Sequence, residues 1–369
     1  MKHILTVVGA RPQFIKAAIV SRAMASQGRL RETMVHTGQH YDDTLSRVFF
    51  EDLQIPPPAH NLGVGSGPHG QQTARMLEGL ERILLEDRPD SLLVYGDTNS
   101  TLAGALAAAK LNVPIGHVEA GLRSFNRRMP EEINRVVCDH LSSSLFAPTQ
   151  AAAENLAREG LPRERIHLTG DVMYDASLYF AARAEQGSSV LGTLGLRPRE
   201  YVLTTIHRAE NTDQALRLAA IIEALCAFGR EFPIVFPLHP RTRDRLERGQ
   251  LLSRVHARLR AVEPAGYLDM LVLEKNARLI VTDSGGVQKE AYFYRVPCLT
   301  LRDETEWVEL VAAGWNRCVS PLLGAGKICE AMREACVSFR PPPWSDSLYG
   351  NGRASQIIAD ILAQEGPSS

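Results

Sequence analysis

The apolar positions of the chain fall into two rhythms. Short runs dense in aliphatic and β-branched residues read as strands: ILTVV, TMVHT, SLLVYG, IGHVEA and SLFAPT in the first half, and YVLTTIH, PIVFPLH, ARLIVTD and VPCLTL in the second. Between them, segments such as FIKAAIVSRAMASQ and LRLAAIIEALCAFGR place apolar residues at helical spacing. Strands alternating with helices are the pattern of a parallel α/β sheet, so each half is expected to form its own doubly wound domain. The rhythm breaks across residues 174–200, where AARAEQGSSVLGTLGLRPRE gathers Gly, Ser and Pro. The boundary is placed there, giving a first domain over residues 1–175, a second over 176–352, and a last helix over 353–369.

In an open parallel sheet ligands lie beyond the carboxyl ends of the strands, and two such domains can face each other across a cleft. The polar residues follow that expectation. GARPQFIK comes after the first predicted strand, GDTNST after the third, EAGLRS after the fourth, HRAEN and HPRTR after the first two of the second half, and DSGGVQKE after a later one. DSGGVQKEA, residues 283–291, has the form strand, small turn, helix, with Gly285 and Gly286 permitting an anion to approach backbone N–H groups. A helix N-terminus contributes about 0.3–1 kcal/mol to holding an anion. It therefore needs help, and Arg11, Lys16, His207 and His239 are candidate helpers.

Asp97, Glu119 and Glu131 are the acid/base candidates, because carboxylates gathered near a phosphate seat are groups that burial and mutual repulsion tune for proton transfer. Glu132 stands either as an alternative to Glu131 or as a helical partner of Arg135. Taken singly, each position also has a structural reading: Asp97 as a helix cap, His207 as a packing residue, Arg11 as a surface charge, and the residues before Gly285 as a plain cap.

Composition narrows the function. At 369 residues the chain exceeds what one core comfortably supports, in agreement with two domains. Lys plus Arg number 41 and Asp plus Glu 42, and a formal charge of -1 gives no electrostatic reason to expect nucleic acid or an anionic membrane as partner. The opening MKHILTVVGARPQF reads as a strand, since Arg11 and Pro12 arrive before a signal-peptide core is complete, and no apolar run is long enough to span a bilayer. Six cysteines without a C-x-x-C pair fit neither a zinc site nor a secreted disulfide framework, so a cytoplasmic location is expected. The His36 and His40 pair sits in a strand-end loop and H-E-x-x-H is absent, so no metal is expected. There is no Walker A motif and no G-x-G-x-x-G after the first strand, which speaks against an ATPase or a nicotinamide dehydrogenase and leaves a nucleotide diphosphate ligand open.

Taken in order, GARPQFIK, GDTNSTLA, HVEAGLRS, PEEINR, TIHRAEN, LHP, TDSGGVQKEA and RDETEW resemble the non-hydrolysing UDP-N-acetylglucosamine 2-epimerases over essentially the whole chain. The resemblance implies a glycosyltransferase-B-like fold of two Rossmann-like domains with the last helix packing back on the first, a homodimer, and a UDP-sugar substrate handled without a cofactor. It places Asp97, Glu119, Glu131 and His207 among the catalytic residues and Arg11, Lys16, His239, Ser284, Gly285, Gly286 and Glu290 around the UDP. Arg135, Arg208 and Arg302, carried by the same motifs, are expected to bind with them. The implied chemistry is coherent: C2 of an N-acetylhexosamine has no adjacent carbonyl to acidify its hydrogen. UDP therefore leaves C1 as the C2 proton is removed, giving a 2-acetamidoglycal, and returns as a proton is delivered to the other face. Cationic groups stabilise the departing UDP and carboxylates move the proton.

Three departures stand out: Gln13 where many members have Glu, a shortened SFNRRMPEE loop, and ETEWVE in place of T-E-R-P-E. They resemble the branch acting on UDP-2,3-diacetamido-2,3-dideoxyglucuronic acid, a precursor of bacterial surface polysaccharide. Arg127 and Arg128 in that loop are candidates to meet a C6 carboxylate in bidentate fashion. The rival readings are a UDP-sugar glycosyltransferase, which shares the UDP seat but needs an acceptor, a non-catalytic nucleotide-sugar sensor, and a hydrolysing epimerase that releases free UDP.

Overall fold

The computed structural model describes residues 1–39, 53, 55–339, 342–345 and 348–364. His40 and residues 365–369 of the expected last helix lie outside them. The chain divides into two compact units, Met1–Leu178 with Asp346–Ser369, and Tyr179–Ser345. The division falls inside the helix Val172–Gly187, ahead of the Gly- and Ser-rich stretch.

The first unit is built on seven parallel strands: β1 (Lys2–Val8), β2 (Leu30–His36), β3 (His60–Asn61), β4 (Ser91–Tyr95), β5 (Ile115–Val118), β6 (Ser144–Ala147) and β7 (Ile166–Leu168). Their order is β3-β2-β1-β4-β5-β6-β7. A central parallel strand is covered on both faces, so it must be apolar on both, and every residue of SLLVY in β4 is buried. The chain builds outward from β1 to β3 and then returns to the far side of β1 at β4. That reversal leaves a crevice at the carboxyl ends of β1 and β4.

The second unit repeats the plan with β8 (Val202–Thr205), β9 (Ile234–Pro237), β10 (Arg260–Val262), β11 (Leu279–Thr282), β12 (Cys298–Thr300) and β13 (Asn316–Cys318), in the order β10-β9-β8-β11-β12-β13. Its core joins Val202, Phe236, Leu279 and Val281 of the sheet to Ile221 and Leu225 of the helix Ala215–Phe228 and to Ile328 and Met332 of the helix Ala325–Val337. The reversal here lies between β8 and β11.

The four strands that the apolar pattern does not predict, β3, β7, β10 and β13, are the four sheet edges. Each is only two or three residues long and none is buried throughout, so none carries a continuous apolar run.

The helix Ala354–Gln364 belongs to the first unit, and Asp175 holds its start. The buried carboxylate accepts the N–H groups of Ala354 at 3.2 Å and Ser355 at 2.7 Å, and the Ser355 hydroxyl at 2.7 Å. At the other end Lys2 Nζ donates to the Leu362 carbonyl at 3.1 Å. Replacing Asp175 by Ala leaves buried donors without an acceptor, and the expected cost is about 1–3 kcal/mol. Urea unfolding should show a lower midpoint, and an unchanged midpoint would mean that other contacts hold this helix.

Candidate active site

In the first unit the loops at the strand-order reversal are tied together before any ligand arrives. After β1, Gly9 lies so close to the Thr37 and Ser100 hydroxyls that no side chain fits. Arg11 opens the helix Arg11–Gln27 and is exposed. Gln13, which is buried, uses both ends of its amide. The oxygen accepts from Gly9 N at 2.8 Å and Ala10 N at 3.1 Å, and the nitrogen donates to the Tyr95 carbonyl at 2.7 Å and to the Thr98 and Thr101 hydroxyls at 3.0 Å. A glutamate here would set a carboxylate against the Tyr95 carbonyl, so the amide matches its surroundings and fastens the β1 loop to the β4 loop.

The cap of the helix Asn99–Lys110 is Thr98, whose hydroxyl accepts from Thr101 N at 3.3 Å. Asp97 is therefore not consumed as a cap. Its carboxylate meets Arg135 Nη2 at 2.5 Å, and its main-chain carbonyl accepts from Asn134 Nδ2 at 2.8 Å. Glu119, just past β5, has φ of +71°, a conformation that costs a non-glycine residue about 1–3 kcal/mol. The turn is locked by two hydrogen bonds, since Glu119 N and Ala120 N both donate to the Phe146 carbonyl at 3.1 Å. The Glu119 carboxylate, itself partly exposed, is paired with the ammonium of the buried Lys16.

Beneath these loops runs a buried ionic network. His117 places Nε2 at 2.7 Å from the Gly96 carbonyl and Nδ1 at 2.7 Å from Asp139, while Asp139 also accepts from Gly121 N at 3.1 Å and pairs with Arg123 at 2.7 Å. Arg123 in turn forks onto Glu159 at 2.7 and 2.8 Å. The His117, Asp139 and Arg123 side chains are all 0% exposed. Burial alone would raise the Asp139 pKa, but His117 and Arg123 outweigh it and hold the carboxyl below its ordinary range.

On the helix Pro130–Leu141 the two adjacent glutamates differ sharply. Glu131 is exposed and has no hydrogen-bond or ion-pair partner among the described residues. Glu132 is buried and paired with Arg135 at 2.9 Å, three positions along the helix, so the helical-partner reading is the one realised. Arg127 and Arg128 are exposed.

In the second unit, His207 follows β8 and its side chain is 40% exposed. Its position is set by Asp283, fully buried after β11, whose carboxylate accepts His207 N at 3.0 Å, Arg208 N at 3.1 Å and Asn211 Nδ2 at 3.1 Å. The His239 ring centroid lies 5.8 Å from that of His207. His239 Nδ1 accepts from Arg241 N at 3.2 Å to cap the helix Pro240–Arg248, and burial, then the neighbouring His207 and Arg241, lower its pKa.

Ser284 precedes the helix Gly285–Phe293, but its hydroxyl does not cap it. The two glycines behave differently. A Cβ on Gly285 would come within 2.5 Å of the Glu306 carboxylate, whereas one on Gly286 meets nothing within 4 Å. The room made at Gly285 is thus taken by Glu306, which bridges Arg208 at 3.1 Å and Arg302 at 2.6 Å. Glu290 is buried on the same helix, and burial together with its charge raises the pKa of Glu274. Among the described residues no group of three or more His, Cys, Asp or Glu side chains is arranged to hold a metal, and no helix is long and apolar enough to cross a membrane.

The sequence profile described as UDP-N-acetylglucosamine 2-epimerase matches residues 22–363. The chain belongs to this epimerase family. It is 50% identical over 98% of its length, and 99% of the relative's, to the Pseudomonas aeruginosa UDP-2,3-diacetamido-2,3-dideoxy-D-glucuronate 2-epimerase. To the Methanocaldococcus jannaschii UDP-N-acetylglucosamine 2-epimerase it is 43% identical over 96% of this chain and 97% of the relative. A solved structure of the M. jannaschii enzyme in complex with UDP-GlcNAc and UDP superposes with a TM-score of 0.87 at 42% identity, covering 99% of this chain and 100% of that one. The Neisseria meningitidis enzyme bound to UDP-GlcNAc also gives 0.87, at 30% identity over 98% of this chain and 100% of that one. The two-sheet α/β architecture is therefore that of the epimerase family.

Within this epimerase-family chain, sequence reasoning missed His117, Asp139, Asp283 and Glu306, which set the others in place, and read Gln13 only as a departure from the family. The HVEAGLRS motif carried a signal for His117 and Arg123, but nothing in the sequence joins them to Asp139. Changing Asp139 to Asn strips a buried guanidinium of a carboxylate, and the expected loss is about 3–5 kcal/mol in urea unfolding. A loss below about 1 kcal/mol, the size of an exposed pair, would show that Glu159 alone satisfies Arg123. Since the folded pKa of Asp139 is depressed, its stabilisation is complete above the unfolded value of about 3.9 and disappears as pH falls through the folded value.

Proposed function

We propose that this chain is a non-hydrolysing UDP-sugar 2-epimerase that inverts C2 of a UDP-N-acetylhexosamine, by eliminating UDP to a 2-acetamidoglycal and adding it back. The observation that carries this reading is a pair of cation-held carboxylates, Asp97 on Arg135 and Glu119 on Lys16, at adjacent strand ends of a chain in the epimerase family. Asp97, Glu119 and Glu131 are the groups proposed to take and return the C2 proton, with His207 as a further catalytic residue. Arg11, Lys16, Arg135, Arg208, His239, Arg302, Glu290 and the Ser284, Gly285, Gly286 turn are proposed to bind the substrate. The open side of Gly286, at a helix start that no side chain caps, supports an anion seat there, and the cationic groups offset charge developing on UDP. The homodimer implied by the sequence resemblance belongs to the same proposal, and six free cysteines suit a reducing cytoplasm.

A second reading of the sugar, the diacetamido-uronate, is favoured by Arg127 and Arg128, exposed in the short loop ahead of Glu131, and by the name of the Pseudomonas relative. Incubation with each UDP-sugar in the absence of any acceptor, followed by NMR, tests both points. The expected product is the C2 epimer with the UDP-sugar total conserved. Steady accumulation of free UDP would overturn the non-hydrolysing reading, and an inert enzyme would overturn the epimerase reading. If an arginine meets a C6 carboxylate, replacing Arg127 and Arg128 by Ala should lower kcat/KM for the uronate relative to UDP-GlcNAc by roughly tenfold to a hundredfold. An unaltered ratio would remove that contact.

A further inference from the structure

The buried carboxylate of Glu132 has no reacting role to play and yet sits one step from a group that does. Both of its oxygens are engaged: Oε2 accepts from Ser124 N at 2.8 Å, from the Ser124 hydroxyl at 2.9 Å and from Arg135 Nη1 at 2.9 Å, and Oε1 accepts from Phe125 N at 2.9 Å. With 2% of the residue exposed, no face is left for a sugar. Although burial opposes its charge, these bonds keep its pKa below the ordinary value, so it holds no proton to give. Arg135 is bound in a fork, with Nη1 on Glu132 and Nη2 on Asp97. The plane of the guanidinium, and with it the Asp97 carboxylate, is thus set from behind by Glu132. Asn134, which precedes Arg135 on the helix, fixes the Asp97 main chain by donating to its carbonyl.

We propose that Glu132 is a positioning residue for the epimerisation, acting on Asp97 through the Arg135 guanidinium. The proposal rests on the reading of the chain as a UDP-sugar 2-epimerase. A competing role is purely structural: Glu132 also latches residues 124–125, where Phe125 has φ of +56°. The two roles differ in whether the effect of Glu132 needs Asp97. If it acts through Asp97, its loss costs nothing more once Asp97 no longer functions, while a latch costs the same in either background.

The experiment is a double-mutant cycle on the full chain, with Glu132→Gln, Asp97→Asn and the pair, each checked by thermal melting. Glu132→Gln is expected to lower kcat by about tenfold to a hundredfold while KM moves by less than about threefold, since a displacement near 1 Å of a reacting group has that effect. In the Asp97→Asn background the same change should cost less than about threefold. Equal losses in both backgrounds would overturn the proposal and leave the latch. Should Glu132→Gln unfold, Glu132→Asp takes its place: it keeps the charge but shortens the reach to Arg135, and the same non-additivity with Asp97→Asn is expected, additivity again being the overturning result. A wild-type chain that epimerises no UDP-sugar would overturn the functional reading and this inference with it, an outcome distinct from additivity in an active enzyme.

Discussion

In a parallel sheet buried on both faces, polar chemistry is confined to the edge where the strands end. The strand interiors satisfy their backbone groups in the ladder and pack their side chains against helices, so a charged group placed there must find partners or be excluded. Both sheets of this chain reverse their strand order at one point, β1 and β4 in the first and β8 and β11 in the second. The groups assigned a chemical role gather after these strands and their neighbours, Asp97 after β4, Glu119 after β5, His207 after β8, and the Ser284 turn after β11. Two of these loops rest on a polar group that penetrates further inward, His117 with Asp139 below the Gly96 carbonyl next to Asp97, and Asp283 below the His207 main chain.

The same constraint sets the electrostatic surroundings of the groups proposed to move the proton. Asp97 and Glu119 are each held against a cation, which fixes their direction before any sugar arrives, the arrangement that the proposed proton transfer requires of preorganised groups. At Glu119 the main chain carries the strain of a left-handed conformation, and the two bonds to Phe146 offset it. In the second unit Glu306 holds Arg208 and Arg302 together at the helix start. The Trp307 that follows it, in place of the family's Arg, carries Lys289 over its ring at 4.3 Å, so this departure lies in the packing of the same helix.

How much of this was legible in the sequence follows from what each feature needs. Central strands announce themselves because burial on both faces demands unbroken apolar runs, whereas β3, β7, β10 and β13 need only a few hydrogen bonds at an edge. The loop motifs were legible because a strand followed by Gly and charged residues is a local pattern. Glu131 and Glu132 were not separable, since neighbours on a helix point about 100° apart and only the packed helix reveals which one faces inward. His117 and Asp139 come from a strand and a helix whose meeting has no local signature. The break in rhythm was visible, but the helix Val172–Gly187 runs on past the division between the units, since nothing in its apolar spacing marks that point.

All of these placements serve one chemical claim, that the C2–H bond is broken as UDP leaves and remade on the opposite face, as UDP returns, by a group in contact with solvent protons. Epimerisation in deuterated water, followed by NMR and mass spectrometry of the UDP-sugar product, tests it most directly. The account predicts solvent deuterium at C2 of the inverted product. Full retention of the original hydrogen at C2 in that product would contradict it.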